Sequence, residues 1–464
     1  MADIVGLNAA ATVAEGGDKK TSDADILSTA RERLKASESV YGPTRVNELS
    51  DLRFYAGSPD NQWQWSAGAL ATRNVEGQAN GRPCLTINMM PQHVKQITNE
   101  QRQNPPAAKA IPADNNADVE IAEIFDGMIR QIEYDSSANV AYSTASDNQV
   151  TIGEGFFRVL TDYVDENSFE QEIKIGIVRD VFSVYPDPMM QMPCGEDMDW
   201  CLVTEDITKE EFERKYPDAT PISTLLDSGV GDTGVSQWMS DKTVRIAEYF
   251  YFEHTPATLN LYPDGHTAFT GTPEDKQLRA LFGKPLKSRS SDRKKVKWCK
   301  INGYEILERG DWAGKYIPVI RVIGNEFVIE GEVHISGIVR NAKDPQRMYN
   351  YHTSQEAEML ALSPKAPYIG YSGQFEGYEK QWKTANTQNW PYLQVNVNAT
   401  DGQGGVLPLP QRSQPPMVQS GLIAAKQGAA EDIKATTGQY NSSLGMASNE
   451  RSAKAILARK NEGD

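Results

Sequence analysis

Few side chains in this 464-residue chain are placed to do chemistry. The densest acidic group is Glu196, Asp197 and Asp199, with Asp187 nearby, set among proline and glycine. Carboxylates so grouped could hold magnesium for cleavage of nucleic acid, but a turn of this composition more simply keeps them solvated. Cys84, Cys194, Cys201 and Cys299 are scattered without a CxxC pair, and the five histidines are not spaced as ligands on one helical turn. Reduced thiols are therefore expected rather than a zinc site. Gly153 and Gly155 resemble a phosphate-cradling loop only superficially, because the chain runs from them into a strand and not into a helix start. The chain has no GxxxxGK[ST] loop, HExxH or GxSxG, and no histidine paired with a candidate nucleophile. Neither a catalytic centre nor a cofactor is expected.

The chain carries a net charge of −16, which argues against gripping nucleic acid through a basic footprint. An acidic wall suits a conduit past which DNA slides, because phosphates are repelled rather than neutralised. The exception is the stretch 284–300, with Lys284, Lys287, Arg289, Arg293, Lys294, Lys295, Lys297 and Lys300. It could hold DNA or a partner's acidic patch, but a solvated hairpin or loop is the simpler reading, with a new strand beginning at Val296. No apolar run approaches the roughly 20 residues that cross a bilayer, so no membrane is expected. The first residues lack the basic start and apolar block of a secretion signal, and 1–24 read as a loose arm.

The elements that must position these groups form an α+β pattern. Capping residues precede Ile26, Leu27, Ala30 and Leu34, predicting a helix over 21–35, and a further helical run passes through Val46, Leu49 and Leu52. Trp63 and Trp65 read as packing anchors. Leu85 and Ile87 begin a short strand-like piece, with a helix after Asn88. Helices are expected over 116–134 and 138–150. Strands follow over 151–164, 170–178, 180–185 and 244–253, with a capped helix over 207–216, a hairpin turn at 301–304 and a sheet segment over 312–324.

The chain is organised around 336–458. A helix over 337–362, in which Asp344 and Pro345 suit a cap and first turn, is stopped by Pro364 and Pro367. A sheet-like insert rich in proline and glycine follows, with strand-forming runs at 368–369 and 392–397. A second helix over 416–440 carries Val418, Leu422, Ala425, Ala429 and Ile433 in one narrow stripe. That stripe suits either a seam between copies of the chain or an ordinary buried face. On the seam reading, Ala429→Trp blocks assembly while the monomer stays folded.

GRPCLTINMM, Asn104-Pro105-Pro106, GKYIP, KDPQRMYNY, PKAPYIG and SLGMASNERS occur in one order. With these, the chain resembles the portal proteins of short-tailed double-stranded-DNA bacteriophages of the Salmonella-phage type, from about residue 25 to its end. The resemblance implies a portal fold: a helix and sheet wing (25–335), a first stem helix (336–364), a small α/β clip (365–412), a second stem helix (413–440), a tunnel loop (441–452) and the start of a helix leading to a crown (453–464). The chain ends where that long helix would begin, so a crown or barrel is expected to be absent.

The implied role is a ring, twelve subunits in the family, at one capsid vertex of the virion, made in the host bacterial cytoplasm. Such a ring admits DNA driven by the terminase large subunit, releases it at ejection, and carries tail adaptor and head-completion proteins. Major capsid protein and scaffolding protein are its other implied partners. Arg451 and Lys454 are the leading candidates for brushing phosphates, with Lys426 and Lys434 as weaker channel-wall candidates. Trp382 and Trp390 read either as docking anchors of the clip or as its core. The alternatives are a metal-dependent DNA-processing enzyme built on the acidic cluster, or a capsid or tail adaptor that never touches DNA.

Overall fold

The computed structural model describes residues 22–58, 62, 83–105, 107–112, 119–165, 167–219, 243–302, 304–362, 366–400, 404–414 and 420–439. The chain divides into two compact units, one of 1–50 with 97–337 and one of 51–96 with 338–464.

Helices α1 (Asp23–Tyr55), α2 (Met90–Gln103), α3 (Val119–Asp135) and α4 (Ala138–Ile152) come first. Strands β1 (Glu154–Tyr163), β2 (Gln171–Ile177), β3 (Val184–Pro186) and β4 (Trp200–Thr208) follow, then the short helix α5 (Lys209–Lys215). After β5 (Thr243–Leu261), β6 (Thr267–Phe269) and helix α6 (Pro273–Phe282) come β7 (Lys287–Ile301) and β8 (Ile306–Asp311). The first unit closes with β9 (Val319–Ile323), β10 (Asn325–Ile329) and β11 (Glu332–Ser336). The second holds α7 (Ile338–Leu362), β12 (Tyr368–Ile369), α8 (Glu379–Thr384), β13 (Gln411–Arg412) and α9 (Ser420–Thr437).

The first unit is built on a six-stranded antiparallel sheet in the order β3-β4-β5-β7-β8, with β6 against the far end of β5. Alternation along the strands sends Trp200 and Leu202, Ala247 and Tyr249, and Cys299 and Ile301 to one face, where Leu27, Ala30 and Leu34 of α1 cover them. Burial pushes the Cys299 thiol up to about 12 and the Cys201 thiol higher still, so neither is a reactive thiolate.

The opposite face meets a three-stranded sheet in the order β2-β1-β9. There the Glu248 carboxylate accepts from Arg158 Nη1 of β1 at 2.9 Å and lies 3.5 Å from Lys300 Nζ of β7, all three residues buried. Arg321 of β9 is likewise buried and bridges Glu154 of β1 at 3.1 Å and Glu326 of β10 at 3.3 Å.

Several elements differ from the sequence reading. The two helical runs at the amino end are one helix, α1, which carries Pro43 in its interior. It opens on a reciprocal cap in which Ser22 Oγ donates to Asp25 at 2.7 Å and the Asp25 amide donates back to Ser22 Oγ at 3.2 Å. Residues 180–185 are not one strand, because the Asp180 carboxylate accepts the Phe182 amide at 2.9 Å and starts a 3₁₀ turn at Val181–Ser183. Trp63, Trp65, the arm over 1–21, the tunnel loop 441–452 and 453–464 lie outside the described residues.

Gly153 and Gly155 serve packing. Gly153 caps α4 at φ 106°, a conformation that other residues rarely adopt. A Cβ on Gly155 would lie 2.0 Å from the Ala145 carbonyl oxygen, so glycine lets β1 press against α4.

The basic stretch allowed a solvated hairpin or a loop with a strand from Val296; it is a paired strand, and the strand starts at Lys287. It forms β7, paired with β5 along all fifteen of its residues. β4 leaves β5 at Tyr251 and β8 leaves β7 at Lys297, so 252–261 and 287–296 run on together as a ribbon, two-stranded until β6 joins β5 at 259–261. Apart from Asn260 and Val296 its residues reach water, which lets the ribbon tolerate its charge.

The ribbon tip is organised by Asp275 of α6. Its carboxylate accepts from Tyr262 Oη at 2.6 Å, Asn260 Nδ2 at 2.8 Å, Arg279 Nε at 2.9 Å and the Gly271 amide at 3.0 Å. Burial alone would raise this carboxyl, but the hydrogen bonds outweigh it and hold the group well below the usual carboxylate range.

Two predictions follow from these buried charges. Glu248→Ala strands Arg158 and Lys300 without their shared carboxylate and should lower unfolding stability by about 3–5 kcal/mol, read as a shifted denaturant midpoint at unchanged slope. At the ribbon tip, the depressed carboxyl means that stabilisation is complete above the ordinary aspartate pKa of about 3.9 and is lost as pH falls below it. Amide exchange at 258–275 should therefore stay protected at neutral pH and accelerate first in acid, and Asp275→Asn should show the acid behaviour at pH 7.

Candidate conduit and docking elements

In the second unit, α7 and α9 pack side by side with an insert between their near ends. The phase of α7 is set by polar side chains four residues apart. Gln346, Asn350 and Ser354 lie on one row and are buried. Each accepts one backbone amide of an extended segment: Met89 N–H to Gln346 Oε1 at 3.1 Å, Ile87 N–H to Asn350 Oδ1 at 3.0 Å, and Leu85 N–H to Ser354 Oγ at 2.9 Å. Four residues of helix rise about 6 Å and two residues of strand about 6.6 Å, so the two periods match. Gln346 Nε2 completes the set by donating to the Ile87 carbonyl at 2.7 Å. Residues 85–89 thus bond to a helix instead of joining a sheet, as their strand-like pattern had implied.

Another row of α7 is cationic. Arg340 and Lys343 approach the buried Asp51 carboxylate at 2.7 and 2.6 Å, and Lys343 and Arg347 lie over the Phe54 ring. The helix begins at Ile338, so Pro345 sits inside it and not in its first turn.

The row facing α9 carries Glu356, whose Oε2 lies 2.8 Å from Lys426 Nζ, and Tyr349, whose ring centre is 5.8 Å from the same amine. The side-chain hydrogen bond to Glu356 raises the Lys426 pKa. Further along α9, Ala429, Ile433 and Thr437 are buried, and Thr437 Oγ1 lies 3.2 Å from Nδ1 of the buried His93. Burial, and then the nearby Lys434 ammonium, lower the His93 pKa, so the ring is neutral in the fold.

The insert is closed where β12 pairs β13, with Tyr368 opposite Arg412. Trp382 is its centre. The indole stands edge-on to Tyr368 and Phe375, with ring centres 5.1 and 5.0 Å away, and Nε1 donates to the Gln394 carbonyl at 2.6 Å. Trp390 Nε1 donates to Thr384 Oγ1 at 3.0 Å. Residues 392–397 are not a strand. The Gln394 carbonyl is taken by Trp382 and the Asn396 amide by the Gln374 carbonyl at 2.9 Å, which leaves no ladder to form.

The model of the phage P22-like portal protein matches residues 31–464. A portal protein of Acyrthosiphon pisum secondary endosymbiont phage 1 is 26% identical over 434 residues, covering 90% of this chain and 59% of that relative. The chain belongs to the P22-like portal family. It spans about three-fifths of the length of the curated relative, and its fold is a mixed one of helices and open sheets, as the α+β reading required.

Of the residues singled out as portal channel or clip groups, Arg451 and Lys454 lie outside the described residues. Lys426 is turned towards α7 and paired with Glu356, and Lys434 pairs with Glu431 at 2.8 Å. Ala429 is 5% exposed and Ile433 fully buried within one chain, whereas Ala425 of the same stripe is exposed. The inner end of the stripe is thus an ordinary buried face, and Ala429→Trp would wedge α9 from α7 before it tested assembly. Trp382 packs against Tyr368 and Phe375, and both it and Trp390 are half-buried.

The acidic cluster is turn architecture. Asp197 accepts the Gln191 and Met192 amides at 2.6 and 3.0 Å, and buried Asp187 accepts those of Met189 and Asp199 at 2.9 and 3.2 Å. Among the described residues no group of histidine, cysteine, aspartate and glutamate converges to hold a metal, and no helix is long and apolar enough to cross a membrane.

The polar row on α7 and its partner at 85–89 were not found by sequence reasoning. The spacing of Gln346, Asn350 and Ser354 was the available signal, but it reads equally as a solvated face.

Two measurements test this geometry. The unfolded chain takes a proton on His93 at pH below about 6.5 that the folded chain refuses, so stability should fall as pH drops from that value, and His93→Gln should remove that component of the pH profile. Asn350→Ala leaves the Ile87 amide without an acceptor and should cost about 1–3 kcal/mol, seen as faster amide exchange at 85–89.

Proposed function

We propose that the chain is one subunit of a portal ring, twelve-fold by its family resemblance, at one capsid vertex of a phage virion. The α7–α9 pair forms the wall of a channel that admits DNA driven by the terminase large subunit and releases it at ejection. The single observation that carries this reading is the state of the cations on the two helices. Arg340, Lys343, Arg347, Lys426 and Lys434 are all ion-paired within the chain. With each positive charge matched, the pair offers a passing duplex little to adhere to, as a conduit requires. The outward face of α9 carries Gly421, Ala424, Ala425 and Gly428, which lets a neighbouring helix come close.

The insert is the docking end for terminase first and for tail adaptor and head-completion proteins later. Trp382 and Trp390 keep its shape. The touching surface is its exposed apolar set of Tyr392, Val397, Val406 and Leu409, which is large for so small a body. Arg451 and Lys454 remain the proposed phosphate-brushing groups. Scaffolding and major capsid proteins meet the first unit, and the protein carries no catalysis of its own.

Negative-stain images and native mass spectrometry of the purified chain should show closed rings with a central hole. A solitary monomer under assembly-preserving conditions, or ATP hydrolysis by the chain alone, would count against the reading. Within intact rings, Val406→Ser with Leu409→Ser should weaken terminase binding at least about tenfold, as loss of buried anchor residues does.

A further inference from the structure

Two surfaces of the first unit carry large apolar side chains that no described residue covers. Helix α3 presents Ile121, Ile124, Phe125 and Met128 on one side, each more than half exposed. The spacing is that of a face built to be buried. The ribbon end presents Leu281 and Phe282 of α6 and Leu286, 75%, 42% and 64% exposed. Leu286 is part of the ribbon itself, since its amide donates to the Leu261 carbonyl at 2.8 Å.

The charge around the two patches is opposite. The sequence of α3 holds five carboxylates against one arginine, and Glu123 stands exposed beside the apolar row. From Lys284 to Lys297 the ribbon side holds seven basic residues against Asp292. Lys284, Lys287, Arg289 and Lys295 are exposed and make no ion pair among the described residues. In a chain whose net charge is −16, these four unpaired cations beside an apolar edge stand out.

We infer that the ribbon end of one copy docks on α3 of the next, burying Leu281, Phe282 and Leu286 against Ile121, Ile124, Phe125 and Met128. Lys287 and Arg289 then meet Glu123 at the rim. The contact joins two different surfaces, and a head-to-tail contact of that kind closes into a ring where a self-complementary one yields only a dimer. Duplex DNA is the other occupant that the cations would suit. It would leave the leucines and phenylalanine exposed, and it has no use for the apolar row of α3. The ribbon reaches its partner already shaped, because the Asp275 hydrogen bonds hold its tip. The inference rests on the ring reading above and assigns one of the contacts that build the ring.

The test is a charge swap in the full chain. Lys287→Glu with Arg289→Glu, and separately Glu123→Lys, should each raise the concentration for half-assembly at least about tenfold, as opposed like charges do at an interface. Sedimentation velocity reads the change, and unchanged circular dichroism and melting confirm the fold. All three substitutions in one chain should recover assembly. Ile124→Cys with Leu286→Cys should give ladders of cross-linked chains on oxidation, against a parent control that does not. If the parent assembles and the swapped chains assemble equally well, this contact is wrong and the ring stands. If the parent stays monomeric, the ring and this contact fall together. Loss of salt-sensitive DNA binding in the ribbon variant, with assembly intact, would make the ribbon a nucleic-acid element and overturn the inference.

Discussion

A helix that buries three polar side chains in one row must find a hydrogen-bonding partner for each, and that requirement sets the second unit. Gln346, Asn350 and Ser354 take the amides of Leu85, Ile87 and Met89, and an extended segment two residues per rung is the backbone that fits their spacing. Once that row is committed, the rotation of α7 is fixed. Tyr349 and Glu356 then fall about a third of a turn away, towards α9, where Lys426 meets them. The helix could rotate only by stranding several buried amides, each costing about 1–3 kcal/mol. The face that α7 and α9 share therefore follows from hydrogen bonds on a different face.

The distribution of positive charge divides the molecule. On α7 and α9 each lysine and arginine has a carboxylate partner in the chain, while Lys284, Lys287, Arg289, Arg293 and Lys295 of the ribbon side have none among the described residues. The pairs on the buried Asp51 hold the fold, but pairs with an exposed partner stabilise little, a median of about 0–1 kcal/mol, so fold stability alone does not explain Arg347 with Asp344 or Lys434 with Glu431. On the proposed channel reading, a helix pair that lines the DNA path is neutralised and the ribbon keeps charge for a neighbouring copy, which accounts for both patterns. The acidic chain as a whole makes the ribbon conspicuous to another copy of itself.

Much of this was readable from residue order, and the failures have physical causes. Helix α3, with its strong apolar periodicity, and the helix–insert–helix plan followed from patterning. The strand was expected from Val296 and not from Lys287 because charge was weighed above the capacity of 288–295 to pair with β5. Residues 392–397 have strand-forming types, but Trp382 and Gln374 take up their backbone groups. Pro345 suits a first helical turn by propensity, yet α7 starts seven residues earlier because Arg340 and Lys343 are held by Asp51. Local preference lost in each case to a partner far along the chain.

The same limit applies to the site. Lys426 sits off the apolar stripe of α9, and from sequence that position reads as solvent or channel. What matches its charge is Glu356, seventy positions away and invisible to any local pattern. Trp382 shows the converse, since aromatic content alone cannot separate an anchor from a core, and Tyr368 and Phe375 hold one side of an indole that stays half-buried. Residues that a sequence nominates for contact with a partner are the ones most often claimed by the chain's own fold, because aromatic bulk and unpaired charge are what both uses need. The groups left over once the intrachain partners are assigned are the better candidates. In this chain those are the apolar surface of the insert, the outer face of α3 and the cations of the ribbon.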